Sequence, residues 1–98
     1  MIVTYKNKSL EKVCNDFSKA MRVYGEDIAK KLYQRLNEIR AATSVELMIQ
    51  NRIGRCHQLE GNRNGQYSVD LAHPYRLVFI VRNEQVQIAK IIEIVDYH

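Results

Sequence analysis

Asp96, Tyr97 and His98 stand in a row at the end of "IVDYH", directly after the apolar pair Ile94 and Val95. An acid, a phenol and an imidazole can all move protons or hydrogen-bond a polar ligand. Chain ends usually fray, so a hydrophobic strand running up to these groups points to a need to hold them still. Two more residues stand out. His57 lies in "RCHQLEG", between Cys56 and Leu59, and Arg76 lies in "YRLVFIV", the most hydrophobic run of the chain, on one strand face with Val78 and Ile80. A charge on such a face needs a partner or an open cleft, unless it sits at the strand end and reaches water along its stem. A lone histidine in a strand is more often structural than catalytic, so His57 carries weight only with the others.

As a set these residues fit one chemistry. Cleaving RNA takes a base to remove the 2′-hydroxyl proton, a cation for the charge building on phosphate, and an acid for the leaving oxygen. The 2′-hydroxyl supplies the nucleophile, so no metal or cofactor is required. Cation type supports the same substrate. Between Asn51 and Arg82 the cations are Arg52, Arg55, Arg63, Arg76 and Arg82, against Glu60 and Asp70, with no lysine. Arginine grips phosphate in two places and stacks on bases, whereas lysine is a point charge. Solvated arginines on strand edges are the alternative. The net charge of +4 and a pI near 9.2 permit an acidic partner without establishing one.

The elements that must position this set follow from periodicity. "MIVTY" reads as a short strand. Ser9 then fits an N-cap for one amphipathic helix carrying Leu10, Val13, Cys14, Phe17, Ala20, Met21 and Tyr24 and ended by Gly25. A second helix opens on Glu26 and Asp27 and carries Ile28, Leu32, Leu36 and Ile39 on one side. Thr43 and Glu46 fit a capping box before a brief third helix. From Gly54 the pattern is strand: "RCHQLEG" and "QYSVDL" form a hairpin, with Tyr67, Val69 and Leu71 alternating against Gln66, Ser68 and Asp70, and "YRLVFIV" and "VQIAKIIEIV" follow. The expected fold is α+β, an antiparallel sheet with two long N-terminal helices on one face, in one domain over residues 1–98. If the last strand pairs beside the one holding Arg76, then Asp96, Tyr97 and His98 hang from the sheet end, with His57 and Arg63 across a concave face.

Other classes are excluded or unsupported. No apolar run reaches the roughly 20 residues of a membrane helix. "MIVTYKNKS" has neither the apolar core nor the cleavage site of a signal peptide, so a cytoplasmic protein is expected. Cys14 and Cys56 lack metal-ligand spacing and read as small buried hydrophobes.

The stretch "LEGNRNGQYSVDLAHPYRLVF", with "EIVDYH", resembles the HigB toxins of the RelE/ParE superfamily, bacterial type II toxins also called plasmid maintenance killer proteins. The resemblance implies a RelE-like fold and a ribosome-dependent mRNA endonuclease, an mRNA interferase that inhibits translation. It implies cleavage of the message in the ribosomal A site and silencing by a helix-turn-helix, HigA-like antitoxin, through which operator DNA is bound indirectly. On this pattern His57, Arg76, Asp96, Tyr97 and His98 are catalytic, and Arg55 and Arg63 bind RNA. The family's "HPLKG" histidine falls on His57, its arginine after the turn on Arg76, its loop arginine on Arg63. Glu60 departs from it, standing where the family carries a lysine. The acid points away from RNA, pairs with an arginine such as Arg63, or takes over a proton-transfer task. Two rival readings share the fold: a ParE-like poison of DNA gyrase, against which the histidines argue, and a non-catalytic antitoxin-binding domain, which Glu60 fits.

Overall fold

A computed structural model describes residues 1–97 of the chain. Strand β1 (Ile2–Tyr5) leads into helices α1 (Lys8–Asn15), α2 (Phe17–Tyr24), α3 (Glu26–Ala41) and α4 (Val45–Gln50), followed by β2 (His57–Gln58), β3 (Gln66–Asp70), β4 (Tyr75–Asn83) and β5 (Gln87–Asp96). The strands form one sheet in the order β1-β5-β4-β3-β2.

The expected first helix is two. Asp16 stands in extended backbone (φ −127°, ψ 100°), donates its N–H to the Lys12 carbonyl at 3.0 Å and accepts the Lys19 N–H on its side chain at 3.2 Å. It therefore closes α1 and caps α2 together. Aspartate competes with the helix backbone for hydrogen bonds and favours caps over helix interiors, which is why an unbroken apolar period still yields a kink. The caps also shift by small steps. Asn7, not Ser9, accepts the Leu10 N–H at 2.9 Å, and Ser44, not Thr43, accepts the Leu47 N–H at 3.2 Å.

The sheet is mixed rather than antiparallel. β1 runs parallel to β5, pairing Ile2 with Ile88 and Tyr5 with Ile91, while the other three pairings are antiparallel. A parallel neighbour requires a long crossover, and here everything between β1 and β5 supplies it. The helices bury their apolar stripe on one sheet face: Leu32, Leu36 and Ile39 of α3 join Val69, Leu77, Phe79, Ala89 and Ile91 in one fully buried cluster. Each large side chain there contributes about 1.5–3 kcal/mol of burial free energy. Cys14 and Cys56 are buried, as expected, and burial pushes both thiols up to about 11.

Alternation assigns the other face. Arg76, Val78 and Ile80 share it on β4, and their cross-strand partners Asp70, Ser68, Gln66, Val95, Glu93 and Lys90 lie beside them. A bulge makes this possible. Val78 pairs with Glu93 and Phe79 with Ile91, leaving Ile92 as the extra residue. That residue restores the phase so that Ile91 enters the core while Glu93 and Lys90 both stay on the open face.

Candidate active site

The open face carries His57, Arg76 and Tyr97 of the residues singled out by their chemistry. Asp70 pairs with Arg76 in the register, and His57 pairs with Ser68, two residues before Asp70. His57 and Arg76 thus point to one side of the sheet, two strands and two residues apart, on the order of 12 Å between Cα atoms from normal strand spacing and rise.

Tyr97 closes the site at the sheet end. Its N–H donates to the Pro74 carbonyl at 2.9 Å, which extends the strand's hold beyond Asp96. The Arg76 guanidinium lies 4.9 Å from the centre of its ring and that of Arg63 5.8 Å. Both are within cation–π range. The Tyr97 hydroxyl is buried without a hydrogen-bond partner among the described residues, and the contacts of the residue with the two arginines are made by its ring.

Acids hold the arginines in place. Arg63 donates through Nη2 to Glu93 at 2.6 Å and through Nη1 to Gln66 at 2.7 Å. Reaching β3 with one arm and β5 with the other, it crosses β4 above Val78, which is fully buried although it belongs to the face away from the helical core. Arg55 grips Asp70 with both arms, at 2.7 and 3.2 Å, and Arg76 Nε lies 3.6 Å from the same carboxylate. The hydrogen bonds to Glu93 and Asp70 raise the pKa of Arg63 and Arg55 respectively, so both remain cations. Three guanidiniums against two carboxylates leave the cluster positive. A cavity of about 100 Å³ opens beside it, lined by Arg55, Asp70, His73, Pro74, Arg76 and Tyr97. That exceeds the roughly 30 Å³ share of one water.

His57 Nδ1 lies 2.9 Å from the Arg55 carbonyl oxygen. A carbonyl can only accept, so Nδ1 carries a hydrogen, and Nε2 is the acceptor whenever the ring is neutral. That is the tautomer of a base.

Of the residues singled out from sequence, Arg55, Arg63, Arg76 and Tyr97 lie together, and His57 stands on the same face. Asp96 is exposed and pairs with Tyr75, which places it by alternation on the face opposite Arg76 and Tyr97. His98 lies outside the described residues. Glu60 is exposed and gives its backbone carbonyl, at 3.3 Å, to the Arg63 N–H, while the Arg63 guanidinium takes Glu93. Among the described residues no cluster of metal-ligating side chains occurs. Sequence reasoning missed Glu93, His73 and the pairing role of Asp70. Period two could have found the acids: Glu93 is in phase with Val95 and Tyr97, and Asp70 with Ser68 and Gln66.

A model of the HigB-like toxins, RelE-like toxins of type II toxin–antitoxin systems, matches residues 3–98. The chain belongs to this family. Solved structures agree on the fold. A YoeB/ParE toxin from Agrobacterium tumefaciens superposes over the full length of both chains with a TM-score of 0.67 at 15% identity. The toxin of a YoeB–YefM complex from Staphylococcus aureus does so with a TM-score of 0.64 at 24% identity, covering all of this chain and 97% of that one. A YoeB dimer from the same organism gives 0.57 at 23% identity, with the same coverage. No curated protein matches. The five-stranded sheet with its helical layer is thus the RelE/YoeB-like architecture, and the chain is a type II toxin of the RelE/ParE superfamily.

Proposed function

We propose that this HigB-like toxin is an mRNA interferase, a metal-independent endoribonuclease that cleaves messages in the ribosomal A site. The observation that carries the reading is the placement of Arg76 and Arg63 around the Tyr97 ring, on the same sheet face as an imidazole in the base tautomer. A nucleobase stacks on the phenol, and the two forks meet the phosphate beside it.

His57 Nε2 takes the proton of the 2′-hydroxyl, and the 2′-oxygen attacks phosphorus. The arginines hold the charge that gathers on the non-bridging oxygens. The bond to the 5′-oxygen breaks, leaving a 2′,3′-cyclic phosphate, and that oxygen takes its proton from the His98 imidazole. Asp70 occupies the forks of Arg55 and Arg76 before RNA arrives and yields Arg76 to phosphate, while Arg63 keeps its bond to Glu93 and offers the phosphate its other arm.

The assigned partners are the ribosome with its message and a helix-turn-helix antitoxin, through which operator DNA is engaged. The S. aureus neighbour bound to YefM supports an antitoxin partner. Purified protein incubated with programmed ribosomes tests the reading: cuts within the A-site codon and little cutting of free RNA are expected. Growth arrest with a DNA-damage response and intact messages would instead assign it to the gyrase poisons. Antitoxin binding with no cleavage would leave a regulatory domain.

A further inference from the structure

A second groove lies on the same open face, farther along β4 and β5. Thr4, Ile80, Arg82, Ile88 and Lys90 enclose about 250 Å³. The register explains why these five meet: Ile80 pairs with Lys90 and Arg82 with Ile88 on one side, and Thr4 pairs with Lys90 on the other. Ile80 and Ile88 give a half-buried aliphatic floor, while Arg82 and Lys90 stand exposed at the rim. Among the described residues no acid lines the groove. Arg82 leans on the exposed Glu84 at 3.2 Å, and Lys90 makes no ion pair among the described residues.

Ile80 follows Arg76 by four strand residues and Arg82 by six, so the groove begins about 13 Å from the arginine site and ends about 20 Å from it. Between them Glu93 is neutralised by Arg63. A single strand of RNA leaving the Arg76 site along this face therefore meets, among the described residues, no unpaired acid before it reaches Lys90. An apolar floor rimmed by cations matches the two surfaces a nucleotide offers.

We propose that this groove is a second RNA subsite, holding a nucleotide that flanks the one at Arg76. The assignment rests on the RNA reading above and deepens it. Lys90 and Arg82 take phosphates, and the isoleucine floor takes the apolar surface of a ribose and base.

The test uses the full chain, single-stranded RNA oligonucleotides with 2′-O-methyl groups that block cleavage, and low salt. Wild type is expected to bind a dodecamer at least about tenfold more tightly than a trinucleotide. The double variant Arg82→Gln and Lys90→Gln should lose that advantage while keeping its grip on the trinucleotide. Its salt dependence with the dodecamer should also weaken, by about 0.7 in log–log slope for each phosphate the variant no longer neutralises. A double variant that binds both oligonucleotides as wild type does overturns the subsite and leaves the candidate active site standing. Wild type that binds the dodecamer no more tightly than the trinucleotide also overturns the subsite, while cleavage on programmed ribosomes tests the active site separately. Sedimentation without RNA reads the rival occupant, since self-association that disappears in the double variant would assign the groove to a second copy of the chain.

Discussion

At the scale of single residues, the site separates charge from geometry. Arg76 offers a fork above an aromatic ring, so Arg76→Lys keeps the charge but loses the second donor and the flat stacking surface. Arg76→Ala should lower the cleavage rate on programmed ribosomes by about 10²- to 10³-fold, the usual loss for one donor to a developing oxyanion. Arg76→Lys should fall between, with unchanged thermal unfolding in both. A folded Arg76→Ala protein that cuts at the wild-type rate removes Arg76 from the mechanism. Tyr97 allows a sharper split. Its hydroxyl is buried without a partner among the described residues, so Tyr97→Phe should cut within a few-fold of wild type. Tyr97→Ala removes the stacking platform and should lose about ten- to a hundredfold. Equal losses in the two variants would show that the phenol oxygen, not the ring, is used.

Elements set where these residues stand. Asp70, which accepts two arginines, has its own backbone anchored: Arg35 on α3 donates Nε–H to the Asp70 carbonyl at 2.6 Å and Nη1–H to Glu38 at 2.8 Å. Gly54 makes room for that link. Its φ is +58°, and a Cβ there would lie 2.8 Å from Arg35 Nε. With the guanidinium pinned at both ends, the side chain has little freedom to yield. Gly54→Ala should therefore destabilise the fold by about 1–3 kcal/mol, from left-handed strain alone, and should lower cleavage as well by loosening Asp70. A midpoint in denaturant equal to wild type would show that the link gives way freely. The kink between α1 and α2 is tested separately. Asp16→Ala should cost about 1 kcal/mol through the missing cap and leave cleavage intact, since Asp16 is remote from the open face.

For the whole molecule, one helical layer leaves a two-faced sheet, with the buried core on one side and the arginine cluster on the other. Burial lifts the Cys14 and Cys56 thiols from 9.0 to about 11 and also raises Tyr5, Tyr24 and Tyr33. The neutral thiol is the form the fold favours. Its contribution is complete below the unfolded pKa and is lost as pH rises through the folded one. Stability should accordingly fall between about pH 9 and pH 11, and replacing both cysteines by alanine should flatten part of that slope. Denaturant midpoints across this range check it. A slope unchanged in the double variant would assign the alkaline loss to the tyrosines.

Local pattern determined much of this protein. Hydrophobic periods of 3.6 and 2 are properties of a segment and its burial, so the α3 stripe of Leu32, Leu36 and Ile39, the alternation of Tyr67, Val69 and Leu71 against Gln66, Ser68 and Asp70, and the odd charge of Arg76 were all legible in the chain. The family of the toxin was legible too, in the residues around His57, Arg63 and Arg76 and in the closing Asp-Tyr-His. Tertiary structure alone decided what lies beside what. The parallel pairing of β1 with β5 depends on a crossover longer than any sequence window. The bulge at Ile92 decides that Glu93 and Lys90 share a face with Arg76, because one extra residue inverts every side chain after it. Glu93 thereby became the partner of Arg63, a role sequence offered to Glu60, and Asp96 fell on the far side from Tyr97. Charges pair by distance in space, and in a sheet that distance is set by register, which no single strand contains.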